Sequence, residues 1–201
     1  MSFKAVVLAA MVMLGSVSLA SAVTIGNAPI DRGNQDGRQN LVIITGTIIP
    51  EAGTITEWST YIRRREGGAS ADTEIGLLIL RDDGLDYELL AIDEQNAVLG
   101  LNTFTPGTPL TVEAGDRLGV WITDHKVSYA PDGGPDLAQT AADSFVLPPV
   151  VGSQIVINNA FNPGRTYSLS AALHVPLPAS LPLVLAGLGA FALLRGRQKA
   201  A

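Results

Sequence analysis

The feature that most limits how this chain can fold is a series of short apolar segments separated by turn signals. Val, Ile, Thr and aromatic residues recur in these segments, which is typical of β-strands. The segments are 41–49, 54–63, 75–81, 87–93, 98–104, 110–112, 117–123, 153–158 and 166–175. Between residues 23 and 174 no stretch of useful length repeats its apolar residues every 3.6 positions, and 136–145 can supply one or two helical turns at most. The pattern predicts an all-β domain, an antiparallel β-sandwich of the jelly-roll kind, with an immunoglobulin-like sandwich as the alternative.

Two segments also predict where the core lies. The segment 75–81 is apolar on both faces, which suits a central strand. In 166–175 the residues alternate, so one face is expected in the core and the other in solvent. The expected core face is Tyr167, Leu169, Ala171, Leu173 and Val175. The expected solvent face is Thr166, Ser168, Ser170, Ala172 and His174.

Residues 1–22 have the organisation of a secretory signal peptide. Lys4 supplies the positive charge, residues 5–19 form the apolar core, and Ala20 and Ala22 define a small-residue cleavage site. Cleavage after Ala22 would make residue 23 the first of the exported protein. An uncleaved N-terminal membrane helix is the alternative, although the apolar run is short for one.

Composition narrows what the expected domain, residues 23–174, can do. The 201-residue chain has two His and no Cys, which excludes disulfides, thiol chemistry and Cys-ligated metals. Of its 13 basic residues, four lie in the two ends, and none of its 19 acidic residues does. The domain therefore holds 9 basic and 19 acidic residues, a net charge of −10. Such a domain repels nucleic acid and anionic lipid, so no nucleic-acid partner is expected.

The last 27 residues have three parts. A short motif comprises Val175, Pro176, Leu177, Pro178 and Ala179; residues 181–194 are apolar; and Arg195, Arg197 and Lys199 follow at once. As a helix, 181–194 would be about 21 Å long, and extension back toward the motif would bring it near the roughly 30 Å hydrocarbon core. A basic end marks the cytoplasmic side of a membrane segment. The tail thus predicts a C-terminal transmembrane helix over 181–194, with the domain outside.

This tail resembles the VPLPA-type variant of the PEP-CTERM sorting signal of Gram-negative bacteria, and all three parts match. The resemblance covers the tail and does not extend to the domain. It implies recognition by an exosortase, a membrane-embedded protease that cuts near the motif and releases or transfers the domain. It also implies transient residence in the inner membrane, then the cell envelope, surface or extracellular matrix, in association with exopolysaccharide and biofilm. The alternative is an ordinary C-terminal anchor that is never cut.

Trp121 is a candidate ligand-binding residue. In 117–123 the aliphatic side chains share one face, and Trp121 lies on the other. If the aliphatic face is the core, Trp121 is exposed and can stack on a sugar ring. The alternative is that it lies under a loop or against a neighbouring element. Trp58 is expected in the core.

A basic cluster and two Asp-rich loops are the other candidate sites. Arg63, Arg64 and Arg65 could hold an acidic polysaccharide by bidentate hydrogen bonds, or they could be a solvated strand end. The loops hold Asp82, Asp83 and Asp86, and Asp132 and Asp136, not far from Asp124. These carboxylates could bind calcium, or they could serve only as turn residues. The segment 31–37 resembles an EF-hand loop superficially, but Arg32 takes the place of an acidic residue.

Catalytic patterns are missing from the sequence. No nucleophile elbow, zinc-protease motif or phosphate loop occurs. Carboxylates such as Glu57, Glu88 and Glu94 could form a glycosidase pair only if the fold brought two together. We therefore expect a secreted, non-enzymatic protein without a cofactor that binds polysaccharide or mediates adhesion. An uncleaved membrane-anchored surface protein and a glycan-cleaving enzyme are the alternatives.

Overall fold

A computed structural model describes residues 20–36, 40–64, 72–84, 86–140, 148–156 and 161–176. These residues form strands and turns, and none of them lies in a helix. The strands are β1 Ala20–Gly26, β2 Leu41–Ile48, β3 Gly53–Arg63, β4 Asp72–Asp82, β5 Tyr87–Val98, β6 Gly100–Phe104, β7 Leu110–Val112, β8 Arg117–Ile122, β9 Lys126–Val127, β10 Tyr129–Ala130, β11 Asp136–Thr140, β12 Gln154–Ile155, β13 Phe161–Tyr167 and β14 Leu169–Pro176.

The strands form two antiparallel sheets, so the prediction of an all-β antiparallel sandwich is confirmed. A six-stranded sheet has the order β1-β14-β3-β6, and β7 and β9 also pair with β3. An eight-stranded sheet has the order β10-β13-β11-β2-β8-β4-β5-β12. The helical turns allowed for 136–145 are wrong over the part that the structure describes, because residues 137–140 pair with residues 41–44 of β2.

The inner faces of the two sheets meet at Trp58. This residue lies on β3, is 1% exposed, and its indole Nε1 donates a 2.7 Å hydrogen bond to Asp93 Oδ2 on β5. Asp93 is the register partner of Leu77, which in turn pairs with Val120. These partners share one face of the eight-stranded sheet, so that face points toward β3. Trp58 is therefore a core residue, as predicted.

The central strands of the eight-stranded sheet are buried on both faces. Residues 75–80 of β4 are all buried, which confirms the prediction of a central strand there. On the outer face of the sheet a second apolar cluster is formed by Val42, Ile44, Leu78, Leu80, Leu89, Trp121 and Ile155. An apolar residue on either face of β8 is consequently removed from water.

The predicted last strand is two strands, β13 and β14, which belong to different sheets. Tyr167, Leu169, Ala171 and Leu173 are buried as predicted, whereas Val175 is only half-buried. The prediction that Ser168 and Ser170 face solvent is wrong, since both are buried. Ser168 is buried because it lies where the chain crosses from one sheet to the other. Its hydroxyl donates a 2.6 Å hydrogen bond to the carbonyl oxygen of Ile30.

The chain divides into two compact units. One is Ala22–His174, and the other consists of the two chain ends, Met1–Ser21 and Val175–Ala201. Residues 1–19 and 177–201, with most of the predicted signal peptide, the predicted helix 181–194 and the basic tail, lie outside the described residues. Within the described ranges there is no helix long and apolar enough to cross a membrane.

Candidate functional site

The basic cluster lies at the end of β3, and an aspartate holds one of its side chains. Arg63 is the last residue of β3, and its Nη1 lies 2.5 Å from Asp31 Oδ1. The same carboxylate oxygen accepts a 2.9 Å hydrogen bond from the amide of Gly33. The Gly33 amide and the Arg63 guanidinium hold the pKa of Asp31 below its usual value, so this carboxyl stays ionised at neutral pH. Arg63 is thus oriented by a partly exposed ion pair.

Arg64 has a different environment. It follows β3 directly, is exposed, and makes no ion pair with any residue in the described part of the chain. Other arginines are engaged: Arg81 with Asp116 and Glu113, Arg117 with Asp82, and Arg165 with Asp36. Arg32 donates to Ser168 Oγ at 3.0 Å and to the carbonyl of Ala28 at 3.2 Å. Arg64 is therefore the described arginine most open to an anionic ligand, and Arg65 lies outside the described residues.

An aromatic side chain lies on the same face of β3 as Arg63. Tyr61 is half-buried on β3, two residues before Arg63, so both side chains project from the outer face of the six-stranded sheet. We call Asp31, Tyr61, Arg63 and Arg64 the arginine corner. Two guanidinium groups can bind carboxylate, sulfate or phosphate groups, and an aromatic ring can pack on the apolar face of a sugar.

A buried polar network links the loop before β2 to β13. Tyr167 Oη donates a 2.6 Å hydrogen bond to Asp36 Oδ2, and Arg165 Nη1 donates to Asp36 Oδ1 and, at 3.0 Å, to Tyr167 Oη. The Arg165 guanidinium also lies 4.2 Å above the ring of Tyr129. Burial and the Asp36 carboxylate raise the pKa of Tyr167 well above its ordinary value, so the phenol stays neutral. The network joins distant segments and offers no open reactive group.

The loop with Asp132 and Asp136 uses its carboxylates for internal hydrogen bonds. Asp136 is 1% exposed and accepts from the amides of Gly46 and Tyr167, both at 2.7 Å. Burial raises the pKa of Asp136, although the two amides act in the opposite direction. Asp132 Oδ1 accepts from Thr166 Oγ1 at 2.7 Å. These contacts position the loop against β13.

The loop with Asp82, Asp83 and Asp86 also uses carboxylates for internal hydrogen bonds. Asp82 Oδ1 accepts from the amide of Gly84 at 2.9 Å, and Asp83 Oδ1 accepts from the amide of Asp86 at 2.8 Å. This loop joins β4 to β5, and the Asp132 loop precedes β11, which is separated from β4 by two strands, β2 and β8. In the described ranges no three His, Asp or Glu side chains are grouped to hold a metal ion. The geometry favours turn chemistry over calcium binding at both loops.

The prediction of an exposed, sugar-stacking Trp121 is wrong. Its side chain is 2% exposed and belongs to the apolar cluster on the outer face of the eight-stranded sheet. A Cβ atom placed on Gly76, its register partner on β4, would overlap the indole. The Nε1 side of the indole therefore lies against Gly76, which is consistent with the alternative that Trp121 packs against a neighbouring element.

The candidate glycosidase carboxylates do not form a pair on β5. Glu88 and Glu94 are six residues apart on this strand, which is about 20 Å for an extended chain. Glycosidase pairs are separated by about 5–10 Å. Glu57 is exposed on β3, in the other sheet.

Sequence reasoning missed an exposed apolar turn between β5 and β6. Val98, Leu99 and Leu101 are 53%, 37% and 59% exposed. The sequence signal for this turn is a glycine between two leucines, followed by Asn102, and it falls inside the predicted strand 98–104. We call residues 98–101 the apolar turn.

The predicted sorting motif begins inside β14, the last strand of the described residues. β14 ends at Pro176, so Val175 and Pro176 are strand residues, half-buried and exposed respectively. Leu177, Pro178 and Ala179 lie outside the described residues, as do Arg195, Arg197 and Lys199. At the other end Ala20 begins β1, which includes Ala22 of the predicted cleavage site.

A scan against protein-family models finds no match to this chain, and a search of curated proteins finds none either.

Proposed function

We propose that this chain is an exported, non-enzymatic protein of the cell envelope or extracellular matrix. It is sorted through its C-terminal tail by an exosortase-type protease, and its β-sandwich binds acidic polysaccharide. The observation that carries the sorting proposal is the tripartite tail, whose motif starts within the last two residues of β14. Among the described residues, Leu173 is the last fully buried core residue, and the motif begins two residues later. A cut after β14 would therefore leave the core of the domain whole.

The mass of the protein in native cells tests the sorting proposal. We expect a C-terminus between residues 176 and 180 in the outer envelope or medium, because the motif is where an exosortase would cut. Intact mass spectrometry of separated cell fractions measures this. A variant in which Pro176 and Pro178 are replaced with alanine should keep its tail. The control variant Pro182→Ala is changed outside the motif and should still lose the tail. A wild-type mass that runs to Ala201 in the inner membrane would establish the uncleaved anchor instead.

The arginine corner carries the polysaccharide proposal. Its two arginines lie at one strand end in a domain of net charge −10, and Arg64 is exposed without an acidic partner among the described residues. Asp31 orients Arg63 at 2.5 Å and neutralises part of its charge. Arg64 is therefore expected to supply most of the binding to a carboxylate on the polymer.

Replacing Arg64 with glutamine should weaken binding to a carboxylated polysaccharide about tenfold, the effect of losing one charged hydrogen-bonding group. Affinity electrophoresis in alginate gels measures the change. Arg81→Gln is the matched control, because Arg81 is engaged by Asp116 and Glu113 on the eight-stranded sheet side. Equal retardation of both variants would show that the corner is not the binding site. Release of new reducing ends from the polymer would favour the glycan-cleaving enzyme.

A further inference from the structure

The apolar turn exposes three large side chains within four residues. Val98, Leu99 and Leu101 are exposed by 53%, 37% and 59%, at the point where the chain passes from the eight-stranded to the six-stranded sheet. Isolated exposed apolar residues need no explanation, whereas several of them at one turn can mark an interaction site. This group belongs neither to the arginine corner nor to the sorting tail.

A buried amide holds the turn in one conformation. Asn102 is only 7% exposed. Its side-chain Oδ1 accepts a hydrogen bond from the amide of Val98 at 3.0 Å. Its Nδ2 donates to the carbonyls of Val98 at 2.7 Å and Gly100 at 3.0 Å. Gly100 has a φ of 100°, which side-chain-bearing residues rarely adopt. The exposed side chains are therefore presented by a preorganised turn.

The three side chains point in different directions around the edge of the sandwich. Ala97 is fully buried in the core, so Val98, the next residue of β5, points to the outer face of the eight-stranded sheet. Leu101 pairs with Tyr61 and shares the outer face of the six-stranded sheet. Leu99 lies between them at the tip. The turn is a convex wedge, and a flat surface can cover only part of it.

We propose that the apolar turn inserts into the interfacial region of a lipid layer. A stable protein interface takes about 800 Å² from each partner, more than three partly exposed side chains supply. Fluid lipid, in contrast, can surround a convex wedge on all sides. Tyr61 lies beside Leu101 and has the amphipathic character that favours the membrane interface.

The wedge lies at the opposite end of β3 from the point where β14 leaves the domain. His174 pairs with Thr54, and Gly100 pairs with Ile62. Eight residues of extended strand separate these two pairs, about 26 Å. The wedge therefore lies at the end of β3 that is far from Thr54 and His174.

Charge determines which lipid the wedge prefers. Arg63 and Arg64 lie on one side of it, and Asp72, the register partner of Val98, lies on the other. The domain as a whole has a net charge of −10, so anionic lipid repels it over long range. Insertion should be strongest in zwitterionic phosphatidylcholine, and anionic lipid should weaken it at low salt more than at high salt.

A fluorescent label at the tip of the wedge tests the proposal in the full chain. The chain has no Cys, so Leu99→Cys gives a single site for an environment-sensitive fluorophore. The labelled protein is incorporated into phosphatidylcholine vesicles and mixed with vesicles that carry a nitroxide lipid. We expect blue-shifted emission and nitroxide quenching at residue 99, and neither at Thr103→Cys, an exposed residue four positions further on. Adding Leu101→Ser should lower the ratio of inserted to uninserted label about tenfold.

Three results would overturn the proposal. Water-like emission from residue 99 with every vesicle would show that the wedge does not contact lipid. A blue shift that depends on protein concentration and resists nitroxide quenching would show that a second copy covers the wedge. A shift caused by alginate without lipid would assign the turn to polysaccharide binding. Thermal unfolding of each labelled variant must match the wild type, and the alginate retardation of Arg64→Gln tests the proposed function separately.

Discussion

Replacing Asp36 with alanine is expected to lower the free energy of unfolding by about 3–5 kcal/mol, the usual cost of breaking a buried ion pair from one side. The Asp36 side chain is 3% exposed and that of Arg165 is 15% exposed. The substitution removes the carboxylate that balances the guanidinium and accepts the Tyr167 hydroxyl at 2.6 Å. A loss of this size is a large part of the stability of an ordinary domain.

Urea unfolding followed by tryptophan fluorescence measures the effect, and the chain contains a matched control. Asp31→Ala breaks another Asp–Arg pair, but its side chains are 47% and 31% exposed. Exposed pairs contribute about 0–1 kcal/mol. Equal losses for the two variants would contradict the view that burial makes the Asp36 pair the important one.

Replacing Trp121 with alanine is expected to destabilise the fold by about 3–5 kcal/mol, as is usual for a large aromatic side chain in a core. The indole is 2% exposed and packs over Gly76. Its loss would leave a cavity between β2, β4 and β8. The affinity for alginate should stay unchanged in the folded fraction, since Trp121 does not contribute to the surface.

Far-UV circular dichroism during urea unfolding measures this loss without depending on tryptophan emission. Leu101→Ala is the control, because an exposed leucine should change the unfolding free energy by less than about 0.5 kcal/mol. Gly76→Ala should also destabilise, since its Cβ would overlap the indole, and Trp121→Leu should relieve part of that effect. An unchanged stability of Trp121→Ala with weaker polysaccharide binding would restore the exposed, stacking role.

The strands with strong local patterns could be predicted from the sequence. β2, β3, β4, β7 and β8 lie within a few residues of their predicted ranges, because β-branched residues and turn signals mark them. The short strands β9, β10 and β11 could not be found in this way. They are too short to show a repeating pattern and become strands through pairing with β3, β13 and β2.

Trp121 shows why alternation of side chains alone cannot assign one face of a strand to solvent. Alternation placed it opposite Val120, which is correct. The inference of exposure assumed that only one face of β8 is covered. β8 lies in the middle of an eight-stranded sheet, and the sequence gives no local signal of what packs on the second face.

The candidate sites were predictable only in part. Arg63 and Arg64 were identified from a contiguous cluster, but the Asp31 partner is 32 residues away in the chain. Asp36 and Tyr167, which are hydrogen-bonded to each other, are 131 residues apart in the chain. Such contacts depend on the order of strands in the sheets, which no local pattern specifies.

The place of β14 in its sheet sets the order of events as the protein is made. β14 lies between β1 and β3, so the six-stranded sheet has a gap at that position until residues 169–176 are available. If the chain is exported as proposed, it crosses the membrane from its N-terminus and presents β14 after all the other described strands. Under that proposal, closure of the sheet would coincide with the arrival of the predicted sorting tail at the membrane. A chain truncated before β14 would have no finished sheet to present at that moment.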